Sequence, residues 1–172
     1  NSFNGDNVLL DITTFNICET IVQTVNTLEG TAAKKEISFV LDYNTQKELL
    51  VEADESKIHQ VLYNLIDNAV KFSHNNSEIK ISLRKKGAKV FVSVKDSGIG
   101  IPKESLNKVF DRFYKTDISR GKDKRGTGLG LSISKEIIQA HNQTINVVST
   151  VDVGTEFVFT LKYHSKKQEA SS

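Results

Sequence analysis

Apolar and polar residues alternate over residues 9–15, and from Ile17 onward the apolar positions Ile17, Ile21, Val25 and Leu28 fall three and four apart. Alternation is the period of a half-buried strand and the wider spacing that of one helix face, which predicts a strand followed by an amphipathic helix. Residues 37–41 and 49–53 read as short strands. Asp54 has the chemistry of an N-cap for a second helix reaching about Phe72, in which Ile58, Val61, Leu62, Leu65, Ile66, Ala69 and Val70 form one broad apolar stripe. Ile79, Ile81 and Leu83 alternate, Lys86-Gly87 supplies a turn, and Val90, Val92 and Val94 alternate again, so residues 78–96 read as a hairpin. Pro102 follows a Gly-x-Gly, and residues 108–126 hold no sustained period and read as a loop with one aromatic-rich turn. A third helix is expected over about 128–140, then two strands over 144–149 and 155–163. Hairpins exclude a purely parallel sheet, and the pattern predicts a two-layer α+β sandwich with three helices on one face.

Composition narrows the class. The chain has 172 residues with 38% hydrophobic and 26% charged content, ample for one soluble core, and no stretch approaches the roughly 20 apolar residues of a membrane helix. The absence of Met points to a piece of a longer protein. A single cysteine, Cys18, excludes an internal disulfide framework and a cysteine metal cluster, and reads as a small buried apolar residue in a reducing compartment. The net charge of +2 conceals an asymmetry: residues 1–56 carry three Lys against ten Asp or Glu, while 57–172 carry 20 basic against 11 acidic residues. The basic excess concentrates over 111–125, where Arg112, Lys115, Arg120, Lys122, Lys124 and Arg125 face three aspartates. That segment fits an anionic ligand and equally a solvated loop.

Four groups of residues carry candidate chemistry. On the second helix, Asn64, Asn68 and Lys71 fall on a narrow strip beside the apolar stripe. Asparagine is a mediocre helix former, so two on one strip call for a reason: neutral oxygen ligands for Mg²⁺ beside substrate phosphates, or hydrogen bonds to neighbouring backbone. The hairpin ends in Asp96-Ser97-Gly98-Ile99-Gly100, a carboxylate able to accept from an exocyclic amine such as that of adenine, followed by glycines that permit close backbone approach. Phe110-Asp111-Arg112-Phe113-Tyr114-Lys115 offers aromatics able to pin a loop to the core, with two cations that can face a phosphate. Arg125-Gly126-Thr127-Gly128-Leu129-Gly130-Leu131 leads into the third helix, where successive N–H groups and the helix N-terminus suit phosphate. Its spacing is neither that of a Walker loop nor of a dinucleotide fingerprint.

Taken in order, Asn64-Leu-Ile-Asp-Asn68-Ala-Val-Lys71-Phe72, Asp96-Ser-Gly98-Ile-Gly100, Phe110-Asp-Arg112-Phe113 and Gly126-Thr-Gly128-Leu-Gly130-Leu resemble the N, G1, F and G2 boxes of sensor histidine kinases. The likeness spans residues 15–161. It implies the Bergerat ATP-binding fold shared by gyrase, MutL, the large heat-shock chaperone and histidine kinases: a mixed, mostly antiparallel sheet backed by three helices, with ATP beneath a lid. Carried over by position, it makes Asn68 the Mg²⁺ ligand with Asn64 assisting, and brings Lys71 to phosphate and Phe72 to the nucleotide. Asp96 takes the adenine amino group, with Gly98, Ile99, Gly100 and Ile101 shaping the base pocket and the Thr155 hydroxyl supporting recognition. Residues 111–125 form the lid, with Phe113 in it and Arg112 or Lys115 near the terminal phosphate. Arg125, Gly126, Thr127, Gly128, Leu129, Gly130 and Leu131 wrap the phosphates.

Two positions depart from the family pattern. Phe72 replaces a common Tyr, removing a hydroxyl, and His141-Asn142-Gln143 replaces a His-Gly-Gly turn, affecting a connection. Related ATPases carry Glu at the Asn64 position to activate water; Asn cannot be that base, which favours transfer over hydrolysis. The four histidines precede Gln60, Asn75, Asn142 and Ser165, none in the acceptor setting. The expectation is therefore a catalytic domain over residues 1–164 with a polar, disordered tail over 165–172. It takes ATP and Mg²⁺ and phosphorylates a histidine on a dimerisation domain N-terminal to Asn1, from which phosphate passes to a response-regulator receiver domain. By itself it does not autophosphorylate, is monomeric, binds no nucleic acid and lies in the cytosol as part of a membrane-anchored parent. A stand-alone serine kinase of the anti-sigma type and a non-catalytic nucleotide-sensing module are the rivals.

Overall fold

The structure, a computed structural model, describes residues 9–43, 48–111 and 130–165. In chain order these form β1 (Thr13–Asn16), α1 (Ile17–Ala33), β2 (Ser38–Asp42), β3 (Leu50–Ala53), α2 (Glu55–Phe72), β4 (Glu78–Lys86), β5 (Lys89–Asp96), a 3-10 turn (Lys103–Lys108), α3 (Gly130–Ala140), β6 (Ile145–Thr150) and β7 (Gly154–Tyr163). The sheet runs β1-β3-β7-β5-β4-β2, with β6 also on β7. Long antiparallel ladders join β4 to β5 and β5 to β7, whereas β2 lies parallel to β4. This is the mixed, mostly antiparallel sheet expected, backed on one face by the three helices.

Helices α1 and α2 each start where a side chain can take a first-turn N–H group. Asn16 caps α1, its Oδ1 accepting from Cys18 N at 3.1 Å and also from Leu49 N at 3.0 Å, which ties the helix start to the entry of β3. Asp54 caps α2 by accepting from Lys57 N at 3.2 Å. All seven residues of the predicted α2 stripe are buried, facing Ile79, Ile81 and Leu83 of β4, Val90, Val92 and Val94 of β5, and Phe157, Phe159 and Leu161 of β7. Each of the buried Val, Leu and Ile side chains contributes roughly 1.5–3 kcal/mol relative to exposure, which is why the stripe places α2 at the centre of the helical layer. Cys18 is buried as expected, and burial pushes its thiol up from the ordinary value.

Some boundaries differ from the sequence reading. β1 begins only at Thr13; Leu9 is 92% exposed and Ile12 half-exposed, because the strand pairs with β3 from Thr13↔Ala53 onward, and Asp11, ahead of the strand, is held by its N–H to Asp54 Oδ2 at 2.9 Å instead of by a ladder. α1 continues past Leu28 to Ala33, and its end folds back through Glu36 at φ 55, with Glu36 N donating to Ala33 O and Ile37 N to Ala32 O. Helix α3 ends in the same manner: Asn142 takes φ 59, Asn142 N bonds Gln139 O and Gln143 N bonds Ile138 O. That left-handed position explains how His141-Asn142-Gln143 can stand for a glycine turn, since Asn tolerates the conformation better than most side chains. The 3-10 turn after Pro102 was not predicted. Arg112, Phe113, Lys115, Arg125, Gly126, Thr127, Gly128 and Leu129, with the segment containing them, lie outside the described residues, as do 166–172.

Candidate functional site

Three parts of the fold meet beside the C-terminal half of α2. The first is α2 itself. Asn64 reaches across to α3, its Nδ2 donating to Gly130 O at 3.1 Å and to Ser134 Oγ at 3.4 Å. One turn on is half-buried Asn68, and a turn further the exposed Lys71, whose ammonium stands 3.1 Å from Asp67 Oδ2. Of the two readings of the asparagines, Asn64 thus takes a backbone contact, and that contact uses its amide nitrogen, leaving the carbonyl oxygen outside it.

The second part is the end of β5 and the loop after it. Asp96 is 8% exposed, and its Oδ1 accepts from Gly98 N at 2.9 Å and Thr155 N at 3.2 Å. Both donors meet one oxygen, so the other is the one available to a ligand. Burial raises the Asp96 pKa from the ordinary carboxylate value, opposed by the two N–H groups and by the charge of His74. A donor brought to the second oxygen favours the ionised form that burial penalises. The glycines of this loop serve the protein's own packing: a Cβ on Gly98 would overlap Phe72 O, and one on Gly100, at φ 76, would overlap Thr150 O. Ile99 N donates to Phe72 O at 3.2 Å, Asp152 N to Ile99 O at 2.9 Å, and Ile101 N to Ser149 Oγ at 2.8 Å. The loop is thereby held between the end of α2 and the β6–β7 turn.

The third part is that turn. Gly154 lies so close to Asp96 O that a Cβ there would overlap it, and Thr155 sits opposite Asp96 in the β5–β7 ladder. Ser149 Oγ donates to Gly154 O at 2.9 Å and lies 2.7 Å from Thr155 Oγ1. With the Ser149 hydrogen directed at Gly154 O, the Thr155 hydroxyl donates to Ser149 and keeps its lone pairs for an incoming donor. Ser149 was not singled out in the sequence; its position opposite Thr155 in the β6–β7 register was the available signal.

Phe110 packs edge-on against Phe157, with ring centroids 6.0 Å apart at 74°, and Lys135 Nζ lies 5.4 Å from its centroid. It therefore pins its end of the 110–130 segment to the core, as its spacing suggested. At the far end, Gly130 opens α3 and is held by Asn64, and Leu131 packs half-buried against the core. The contacts thus tie Asn64 to Gly130, Phe72 to Gly98 and Ile99, and Asp96 to Gly98 and Thr155, with Asn68 and Lys71 between Asn64 and Phe72 on α2. His74, just past α2, is the histidine whose charge reaches Asp96, whereas His141 serves a structural joint: its Nε2 accepts from Asp54 N at 3.0 Å while Nδ1 donates to Ile137 O at 2.8 Å, joining the end of α3 to the start of α2. His164 Nδ1 meets Glu52 Oε2 at 2.9 Å.

Among the described residues no helix is long and apolar enough to cross a membrane. Residues 53–165 match the family model described as histidine kinase-, DNA gyrase B- and HSP90-like ATPase. The chain is 44% identical over 125 residues to the sensor histidine kinase WalK of Bacillus subtilis (strain 168), covering 72% of this chain and 20% of that protein. It spans about a fifth of the length of several such curated relatives. Among solved structures, the catalytic domain of the histidine kinase ThkA is 36% identical with a TM-score of 0.78, covering 89% of this chain and 96% of that one. ThkA in complex with the response regulator protein TrrA matches with 34% identity and a TM-score of 0.75, over 92% of this chain and 43% of that one. The Bergerat arrangement, the motif residues gathered beside α2 and these likenesses agree, and the chain belongs to the histidine kinase-, DNA gyrase B- and HSP90-like ATPases as a histidine kinase catalytic, ATP-binding domain.

Proposed function

We propose that this domain binds Mg²⁺ and ATP beside α2 and transfers the γ-phosphate to a histidine on a dimerisation domain carried elsewhere in the parent protein. The observation that carries the reading is Asp96: a buried carboxylate with two backbone donors on one oxygen and the second outside those bonds, its neighbour in the ladder the Thr155 hydroxyl. A purine amino group matches that pair in chemistry, donating to the carboxylate. The donor set beside it suits magnesium, since the carbonyl oxygens of Asn68 and Asn64 are neutral, hard ligands. When bound, the metal would neutralise charge on the phosphates. Lys71, Gly130 and Leu131, with Arg125, Gly126, Thr127, Gly128 and Leu129, would complete the phosphate cradle, and Arg112 or Lys115 would approach the terminal phosphate under a lid containing Phe113.

Chemistry favours transfer over hydrolysis. Asn64 has no basic group, and its amide nitrogen is engaged with Gly130 O, so it neither deprotonates nor positions water as a carboxylate would. What the chain supplies is orientation: Asp96 and Thr155 hold the base, the α2 edge holds the metal and phosphates, and preorganised donors lower the barrier for an external nucleophile. The response regulator in the ThkA complex supports a receiver domain as the next acceptor. Residues 1–164 as the domain with 165–172 as tail, a monomeric state, and a cytosolic location beneath a membrane-anchored parent belong to the same proposal.

The test is calorimetry with ATP and ADP, with and without Mg²⁺, followed by labelled ATP with the parent's acceptor helices added in trans. The reading expects metal-assisted binding and an acid-labile, base-stable phosphoprotein. No nucleotide affinity in this chain would overturn it, and an acid-stable product would instead favour a serine kinase.

A further inference from the structure

A helix leaves its last four carbonyls without partners inside the helix. In α2 each of the four is met from outside: Ala69 O accepts from Ser73 Oγ at 2.6 Å, Val70 O from Lys35 Nζ at 2.8 Å, Lys71 O from the same Nζ at 3.1 Å, and Phe72 O from Ile99 N at 3.2 Å. Half of this set therefore comes from Lys35, which lies outside every motif, in the turn between α1 and β2. Its ammonium sits at the negative end of the α2 dipole, and its aliphatic stem is half-buried. The turn is held from behind, because Lys35 N bonds Ala32 O, Lys35 O accepts from Asn76 N, and Ser38 N bonds Ser77 O.

The position of this cap relative to the nucleotide site gives it a role beyond stability. The carbonyls that Lys35 grips belong to Val70 and Lys71, within one turn of Asn68 and adjoining Phe72. The neighbouring carbonyl, Phe72 O, receives Ile99 N from the Asp96 loop, and Gly98 packs so closely on Phe72 that no Cβ fits between them. We propose that Lys35 is a positioning residue for nucleotide binding: by fixing the last turn of α2 it sets where Lys71 and Phe72 stand and, through Phe72, how the Asp96 loop is seated. Without its two bonds the terminal turn frays, and the loop loses its fixed support on the α2 side. The inference rests on the nucleotide reading above.

The experiment compares the wild-type chain with Lys35→Met, which keeps the stem and removes the donors, Lys35→Arg, which keeps a cation able to reach both carbonyls, and Asn16→Ala, which removes a helix cap remote from α2. Mg²⁺–ADP affinity is measured by calorimetry at a temperature where all are folded, with amide exchange at Ile99. The expected result is about tenfold weaker affinity and at least fivefold faster Ile99 exchange in Lys35→Met, recovery to within threefold in Lys35→Arg, and affinity within twofold of wild type in Asn16→Ala. Should Lys35→Met not fold, Lys35→Gln, whose shorter amide cannot bridge both carbonyls, takes its place with the same expectation. Affinity within twofold of wild type in the Lys35 variant, or equal losses in that variant and Asn16→Ala, would overturn the inference. Absence of ADP binding in the wild-type chain would instead remove the nucleotide reading on which it rests.

Discussion

Replacing Gly98 with Ala tests whether the Asp96 loop is held as described. A Cβ at this position would overlap Phe72 O and stand 2.8 Å from the Phe72 carbonyl carbon and 3.0 Å from Ser73 Cα. Carbon atoms pack best at about 3.5–4.0 Å, so the loop and the end of α2 must part by roughly 1 Å. The neighbours are backbone and have no rotamer by which to yield. At 3.2 Å the bond from Ile99 N to Phe72 O is already long, and that separation breaks it. A lost hydrogen bond costs about 1 kcal/mol and overpacking about 1–3 kcal/mol, offset by about 0.5 kcal/mol from the stiffer unfolded chain. The net loss is about 1.5–3.5 kcal/mol, or roughly 3–14 °C in Tm for a domain of this size. Gly30→Ala is the control. Gly30 lies inside α1 with nothing within 4 Å of its Cβ position, and the same substitution there should stabilise by about 0.5–1 kcal/mol. Scanning calorimetry and urea unfolding of both variants read the two signs. A Gly98→Ala protein melting within 1 °C of wild type would refute the packing argument.

Asp96→Asn keeps an acceptor for Gly98 N and Thr155 N but removes the buried charge. The raised pKa of Asp96 means that ionising it lowers stability as pH rises through the folded value, so the Asn variant should melt above wild type at neutral pH, and the gap should close as pH falls below the ordinary carboxylate value of 3.8. Its nucleotide affinity should nevertheless fall at least tenfold, as expected for losing a charged hydrogen-bond partner. Asn64→Asp sets a carboxylate against Gly130 O in place of a donor and should destabilise by about 1–3 kcal/mol, read by urea unfolding at pH 7. Glu36→Gly relieves a left-handed residue at φ 55 and should stabilise by about 0.5–1 kcal/mol in the same assay.

Elements with strong periodicity were legible in the sequence: the α2 stripe, the 78–96 hairpin and the Asp54 cap all lie where their patterns put them, because burial of one face per element is a local property of residue order. Chain ends of elements were less legible. Leu9 and Ile12 continue an alternating pattern but have no strand opposite them among the described residues, and the extension of α1 to Ala33 is decided by a turn through Glu36, a residue type that rarely takes positive φ. The motif residues were recognisable by their spacing, yet the task of each glycine was not. Gly98, Gly100 and Gly154 admit backbone from three other segments, a fact that no local rule contains.

By itself the sequence determined which residues carry polar chemistry inside an otherwise apolar pattern: Asn64 and Asn68 beside a buried stripe, Asp96 at a strand end and the glycines before α3. Their order along the chain resembles the boxes of sensor histidine kinases, and that resemblance implied a nucleotide-binding kinase domain. The tertiary structure alone decided how those residues are oriented. Only there does Asp96 receive both backbone donors on one oxygen, Asn64 turn its nitrogen to Gly130, and Ser149 direct the Thr155 hydroxyl. Only there does Lys35, 35 residues before Val70, close the helix that presents the site. The physical reason is that patterning acts through burial, which is short-ranged along the chain, whereas the unsatisfied groups at helix and strand ends take whatever donor the fold brings near, from any distance in sequence.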